Sequence, residues 1–159
     1  MKWVYDDGGR TAAGYKGKAG DCVCRAIAIA TERPYQEVYD LINKFAKSER
    51  KGKRKSGISS ARTGVYKQTI KKVMEHYGWI WIPTMKVGQG CKVHLNEKEL
   101  PSGRLVVSVS KHETVVIDGI IHDTYDPNDR GVYTDADGKV IPQTDRCVYG
   151  YFVKGEVKQ

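Results

Sequence analysis

Polar and apolar positions follow two different periods along this chain, one before residue 78 and another after it. Cys22 to Thr31 (CVCRAIAIAT) is almost continuously apolar and rich in alanine, which predicts a buried helix rather than an amphipathic surface one. Asp21 before it is a residue type suited to an N-cap. Pro34 suits the first position of a second helix, in which Val38, Leu41, Ile42 and Phe45 recur at i, i+3, i+4 and i+7 up to about Lys47. Ile70, Val73, Met74 and Tyr77 repeat that spacing, with Gly78 as the stop.

From Trp79 onward the runs become strand-like: WIWI at 79–82, RLVVSVS at 104–110, HETVVI at 112–117, IIHDTY at 120–125 and CVYGYFV at 147–153. A further short strand is expected at Trp3–Tyr5 within an otherwise glycine-rich and charged N-terminal segment. Helices first and strands last predict an α+β fold, with N-terminal helices packed against a C-terminal antiparallel sheet. No internal repeat or linker divides residues 1–159, so one domain is expected.

Composition sharpens this picture. The chain has 159 residues, 40% hydrophobic and 29% charged, enough to build a core and too apolar for disorder. No signal-peptide run is seen near Met1, and no apolar stretch approaches the ~20 residues that span a bilayer, so a cytoplasmic protein without membrane attachment is expected. By the same argument the four cysteines are expected to be free thiols. Nothing in the chain calls for a cofactor.

Lys and Arg outnumber Asp and Glu 27 to 19, and the excess is concentrated between Lys47 and Lys55. A flexible basic loop over about 47–64 is therefore expected, with Lys51, Lys53, Arg54 and Lys55 as candidates for weak polyanion or nucleic-acid binding. Arg62, Lys67, Lys71 and Lys72 around the third helix extend the same charge. No recognition motif accompanies them.

The candidate chemistry lies in one cysteine and one hairpin. Unpaired N–H groups at a helix start favour a thiolate, and Cys22 occupies that place. Cys24 lies about 200° around the helix from it, so only one of the two can face a cleft. In HETVVIDGIIHDTY, Asp118-Gly119 reads as a two-residue hairpin turn, which pairs Ile117 with Ile120 and His112 with Tyr125. Alternation then directs His112, Thr114 and Val116 to the same face as Ile121, Asp123 and Tyr125, and sends His122 to the other. A carboxylate beside an imidazole orients it as a base for a thiol.

This order of elements resembles the papain-like cysteine peptidase superfamily, including its bacterial and phage-type bacteriocin-processing and amidase branches. Asp21-Cys22 resembles the Asp-Cys opening of the bacterial peptidases, and Asp123-Thr124-Tyr125 resembles the Asn-Ser-Trp that carries the orienting amide in the papain branch. The resemblance implies a papain-like fold and a cysteine hydrolase acting on a peptide or protein substrate, with Cys22 as nucleophile, His112 as base and Asp123 as orienter. Cys24-Arg25-Ala26 also matches a Cys-Trp-Ala opening, and Asp126-Pro127 matches the Asp-Pro of the bacteriocin-processing relatives, so Cys24 and Asp126 stay as alternatives. Where the papain pattern has an oxyanion-hole glutamine this chain has Lys16, and Gln89 is a distant substitute.

Other readings are a papain-like binding module without catalysis, a basic nucleic-acid-binding protein, and a zinc protein. Zinc fits poorly, because Cys22 and Cys24 form C-x-C and His76, His94, His112 and His122 make no short pair.

Overall fold

A computed structural model describes residues 1–50, 57–143 and 145–156. In chain order the elements are β1 (Lys2–Tyr5), α1 (Cys22–Thr31), α2 (Tyr35–Ala46), α3 (Lys67–His76), β2 (Trp79–Pro83), β3 (Arg104–Val109), β4 (His112–Ile117), β5 (Ile120–Asp123), β6 (Val132–Thr134), β7 (Val140–Pro142) and β8 (Gly150–Lys154). The class is α+β, with α1, α2 and α3 packed against a six-stranded sheet of order β1-β5-β4-β3-β8-β2. The short β6–β7 hairpin stands apart from that sheet.

The sheet is mixed rather than antiparallel, because β1 joins β5 in parallel along one edge. Parallel neighbours need a long crossover, and all three helices lie in the chain between β1 and β5. Every other pairing in the six-stranded sheet is antiparallel. The β4–β5 hairpin has the expected register, Ile117 opposite Ile120, around an Asp118-Gly119 turn whose two φ angles are both positive, at 47° and 81°. That turn type matches the twist of the strands it joins.

Apolar side chains fill both faces of the sheet. On the helix side Ile27, Val38, Ile42, Val73 and Met74 pack with Val106, Val115 and Phe152. On the other side Leu105, Val107, Val116 and Ile121 are covered by Leu95, Leu100 and Val148. This two-sided burial is why β3 carries the unbroken apolar run of Leu105, Val106 and Val107 rather than an alternation.

Two local expectations are corrected. Asp21 occupies the N-cap position of α1, but its carboxylate makes no cap hydrogen bond and turns to other partners. Pro34 is the N-cap of α2 with extended ψ, one place before the helix proper. At the described ends of the expected basic loop Glu49 accepts from the Ser59 amide at 2.7 Å, Asn43 accepts from the Ala61 amide at 2.9 Å, and Ser59 and Ala61 are buried. Lys51, Lys53, Arg54 and Lys55 lie outside the described residues.

The expectation of four free thiols also fails. Cys91 and Cys147 form a disulfide across 56 residues of chain, leaving Cys22 and Cys24 free. Segment 93–95 pairs with segment 146–148, the Leu95 amide donating to the Arg146 carbonyl and the Val148 amide to the Val93 carbonyl, both at 2.8 Å. This pairing brings the two sulfurs together. A chain of this size does not require a disulfide, but nothing in its size prevents one. Among the described residues no helix is long and apolar enough to cross a membrane.

Candidate functional site

The site forms where the first turn of α1 meets the start of β4 and the end of β5. Cys22 opens α1 and is half-buried, while His112 and Asp123 are 7% and 4% exposed. Nε2 of His112 lies 2.7 Å from Oδ2 of Asp123. The same oxygen accepts from the Thr114 hydroxyl at 2.7 Å, and Oδ1 accepts from the Thr124 amide at 2.7 Å. With two other donors on it, the carboxylate is fixed in place and the ring that donates to it is fixed in turn.

Cys22 lines a cleft with His112. Burial disfavours the imidazolium, but the hydrogen bond to Asp123 and then the influence of Cys22 outweigh it, raising the His112 pKa to about 9. Asp123 moves the other way. Burial would raise its carboxyl, yet the His112, Thr114 and Thr124 hydrogen bonds hold it below the usual carboxylate range. A buried carboxylate beside an imidazolium is the state these partners favour.

The Tyr125 hydroxyl lies 3.1 Å from Nδ1 of His112, with the rings 5.0 Å apart. Strand pairing ends before this position, so Tyr125 reaches the ring from the chain beyond β5 rather than as a ladder partner. When His112 is neutral and donates Nε2–H to Asp123, Nδ1 is an acceptor for the hydroxyl or the thiol; when it is charged, Nδ1–H is a donor.

Behind Asp123 lies a second buried charge cluster. Arg25, one turn after Asp21, binds the Asp21 carboxylate and sets Nη2 3.8 Å from Oδ1 of Asp123. Asp21 also accepts from the Tyr35 hydroxyl at 2.6 Å and faces Nε of Arg10 at 3.3 Å. Gly8 lies so close that a Cβ there would stand 2.8 Å from the Arg25 carbonyl. The carboxylate expected to cap α1 is thus used to hold Arg25 against the end of β5.

Neither alternative joins the site. Cys24 is fully buried in the helix-side core, its thiol 3.7 Å from the Tyr35 carbonyl, and burial pushes its pKa up to about 12. The Asp126 carboxylate accepts from the Asn128 amide at 3.0 Å and shapes the following turn. Gln89 sits in an exposed turn, and the Lys16 carbonyl accepts from Arg62 at 2.9 Å. His94 pairs with Glu99, His122 faces Asp6 at 3.9 Å, and His76 packs edge-on against Phe45 and Tyr77. Among the described residues no three His, Cys, Asp or Glu side chains gather as a metal site.

No protein-family model, curated protein or solved structure matches this chain. The geometry therefore carries the functional argument alone. Its participants beyond Cys22, His112 and Asp123 had different visibility in the sequence. The i, i+4 spacing of Asp21 and Arg25 marks an ion pair on one helix face, and Thr114 shares its strand face with His112. The hairpin register places Tyr125 opposite His112, and it meets the ring although strand pairing stops before it.

Proposed function

We propose that this chain is a cysteine hydrolase of papain-like architecture, acting on peptide or amide bonds. The observation that carries the reading is the buried 2.7 Å contact of His112 Nε2 with Asp123, on a ring that lines one cleft with the only half-exposed free thiol among the described residues. An ion pair or core histidine would not need a helix-start cysteine in the same cleft.

In this reading the proton held on His112 Nδ1 is the one given up by the Cys22 thiol, and Cys22 Sγ attacks the carbonyl carbon. The tetrahedral intermediate collapses as the imidazolium gives its proton to the leaving nitrogen, which breaks the C–N bond and leaves a thioester. Water, deprotonated by His112, attacks the thioester; the acid leaves and the thiol is restored. Asp123 keeps Nε2 as donor throughout and stabilises the charged ring. The first turn of α1 has amides without intrahelical acceptors, and that of Cys22 supports the oxyanion as it forms.

Iodoacetamide labelling followed by peptide mass spectrometry tests the assignment. Cys22 should react first, Cys22→Ala should remove the fast phase, and His112→Ala should slow it by at least tenfold. Slow, His112-independent labelling of Cys22 in the folded protein would refute the reading.

A further inference from the structure

Beside the Cys22 cleft lies a second hollow of about 350 Å³, walled by Trp81, Phe152, Met85 and Ile70. The two are contiguous, because Ile70, Lys67, Ser108, Glu113 and Tyr149 line both. Their common floor is polar. Ser108 and Glu113 are direct partners across β3 and β4, and the Ser108 hydroxyl donates to Oε1 of Glu113. Glu113 is 7% exposed, and its Oε2 is buried without a hydrogen-bond partner among the described residues. Folded proteins rarely leave a buried carboxyl oxygen unpaired, and such an atom beside a reactive centre is a position where a ligand supplies the missing bond.

We propose that this hollow is the pocket for a substrate side chain near the reacting bond, and that it takes an aromatic ring ending in a hydrogen-bonding group, the phenol of tyrosine. The proposal rests on the cysteine-hydrolase reading of the adjoining cleft. Apolar and aromatic walls select for a ring. Charge selects for its tip. Lys67, Lys71 and Lys86 are exposed at the rim, with the Lys67 and Lys71 ammonium groups 5.3 Å from the Tyr149 ring and 5.5 Å from the Trp81 ring. An arginine or lysine side chain would pass three ammonium groups to reach one carboxyl, and an acidic side chain would end against that carboxyl. Burial raises the Glu113 pKa to about 7, so near neutrality Oε2 is met in both accepting and donating forms. A phenol hydroxyl both donates and accepts, and so matches either form. Phenylalanine fills the same walls but leaves the floor unpaired, the kind of difference on which polar sites discriminate strongly.

The test uses the full chain and peptidyl acyloxymethyl ketones that alkylate thiols, differing only in Tyr, Phe, Leu or Arg at each of the two residues preceding the warhead. The rate of Cys22 modification is read by mass spectrometry. The expected result is a Tyr over Phe ratio of at least ten at one position, falling towards one in Glu113→Leu and retained in Glu113→Gln, whose amide donates and accepts. The wild-type ratio needs no variant to fold. A Tyr to Phe ratio near one, a preference for Arg, or a ratio unchanged in Glu113→Leu overturns the pocket assignment while fast, His112-dependent labelling by iodoacetamide leaves the hydrolase reading standing. Failure of every probe and of iodoacetamide to label Cys22 selectively overturns both.

Discussion

Replacing Asp123 by Asn removes the charge that holds His112 protonated and leaves the ring buried. In the native chain His112 is raised from its ordinary 6.5 to about 9, which corresponds to about 3 kcal/mol of preference for the imidazolium in the folded state. Because the folded pKa lies above the unfolded one, that stabilisation is fully present below about pH 6.5 and is lost as the pH rises through about 9. The depressed Asp123 carboxyl is the same contact seen from its other partner, so the two shifts are not added. Glu113, raised to about 7, and Cys24, raised to about 12, also favour protonated folded forms, and both remain in Asp123→Asn. The difference in pH dependence between the two proteins therefore reports on His112 together with the groups coupled to the site, Glu113 and Tyr125. The assay is an NMR titration of the histidine ring C–H signals, with urea unfolding across pH 6–10. His112 should titrate near 9 in the native chain and fall back toward or beneath 6.5 in the variant, where burial has lost its main opponent. A native His112 that titrates at or below 6.5, or one unmoved by Asp123→Asn, would refute the account.

Other perturbations read different parts of the structure. Cys91→Ser with Cys147→Ser opens a loop of 56 residues, which should lower unfolding free energy by up to about 4 kcal/mol in urea titrations while leaving fast Cys22 labelling in place. Gly150→Ala sets a Cβ 2.4 Å from the Trp81 ring and 2.8 Å from the Ile82 carbonyl, so the β8–β2 edge must shift; thermal unfolding should show a loss of about 1–3 kcal/mol. Arg25→Met leaves Asp21 and Asp123 without their shared cation and should cost about 3–5 kcal/mol, with the added Asp21→Asn change costing less than an independent sum in a double-mutant cycle.

The helices and the hairpin were legible because each rests on local rules. Val38 to Phe45 and Ile70 to Tyr77 declare a buried helical face by spacing, and Asp118-Gly119 fixes a hairpin whose register decides which histidine shares a face with Asp123. What stayed hidden depends on contacts between distant segments. The parallel β1–β5 pairing, the meeting of residues 93–95 with 146–148 that closes the disulfide, and the anchoring of residues 57–64 by Glu49 and Asn43 have no periodic signature. The β6–β7 hairpin was hidden for another reason, since VYT and VIP are too short to separate from turn-rich surroundings.

Asp21 shows how a local rule yields to a tertiary one. An N-cap aspartate contributes about 0.5–2 kcal/mol by bonding amides of the first turn. Here its two oxygens instead receive Arg25 and Tyr35 in a buried setting, where charged hydrogen bonds are stronger than at a surface cap, and face Arg10 as an ion pair. The forgone cap leaves the first-turn amides of α1 without that side-chain acceptor, beside the thiol of Cys22. The same carboxylate fixes Arg25, and Arg25 faces Asp123, so one residue couples the helix that carries the thiol to the strand end that orients the imidazole. The placement of Cys22 and His112 thereby rests on a charged joint between α1 and β5 as well as on the apolar packing of α1 on the sheet, the rigidity that the proposed nucleophile and base, on separate elements, require.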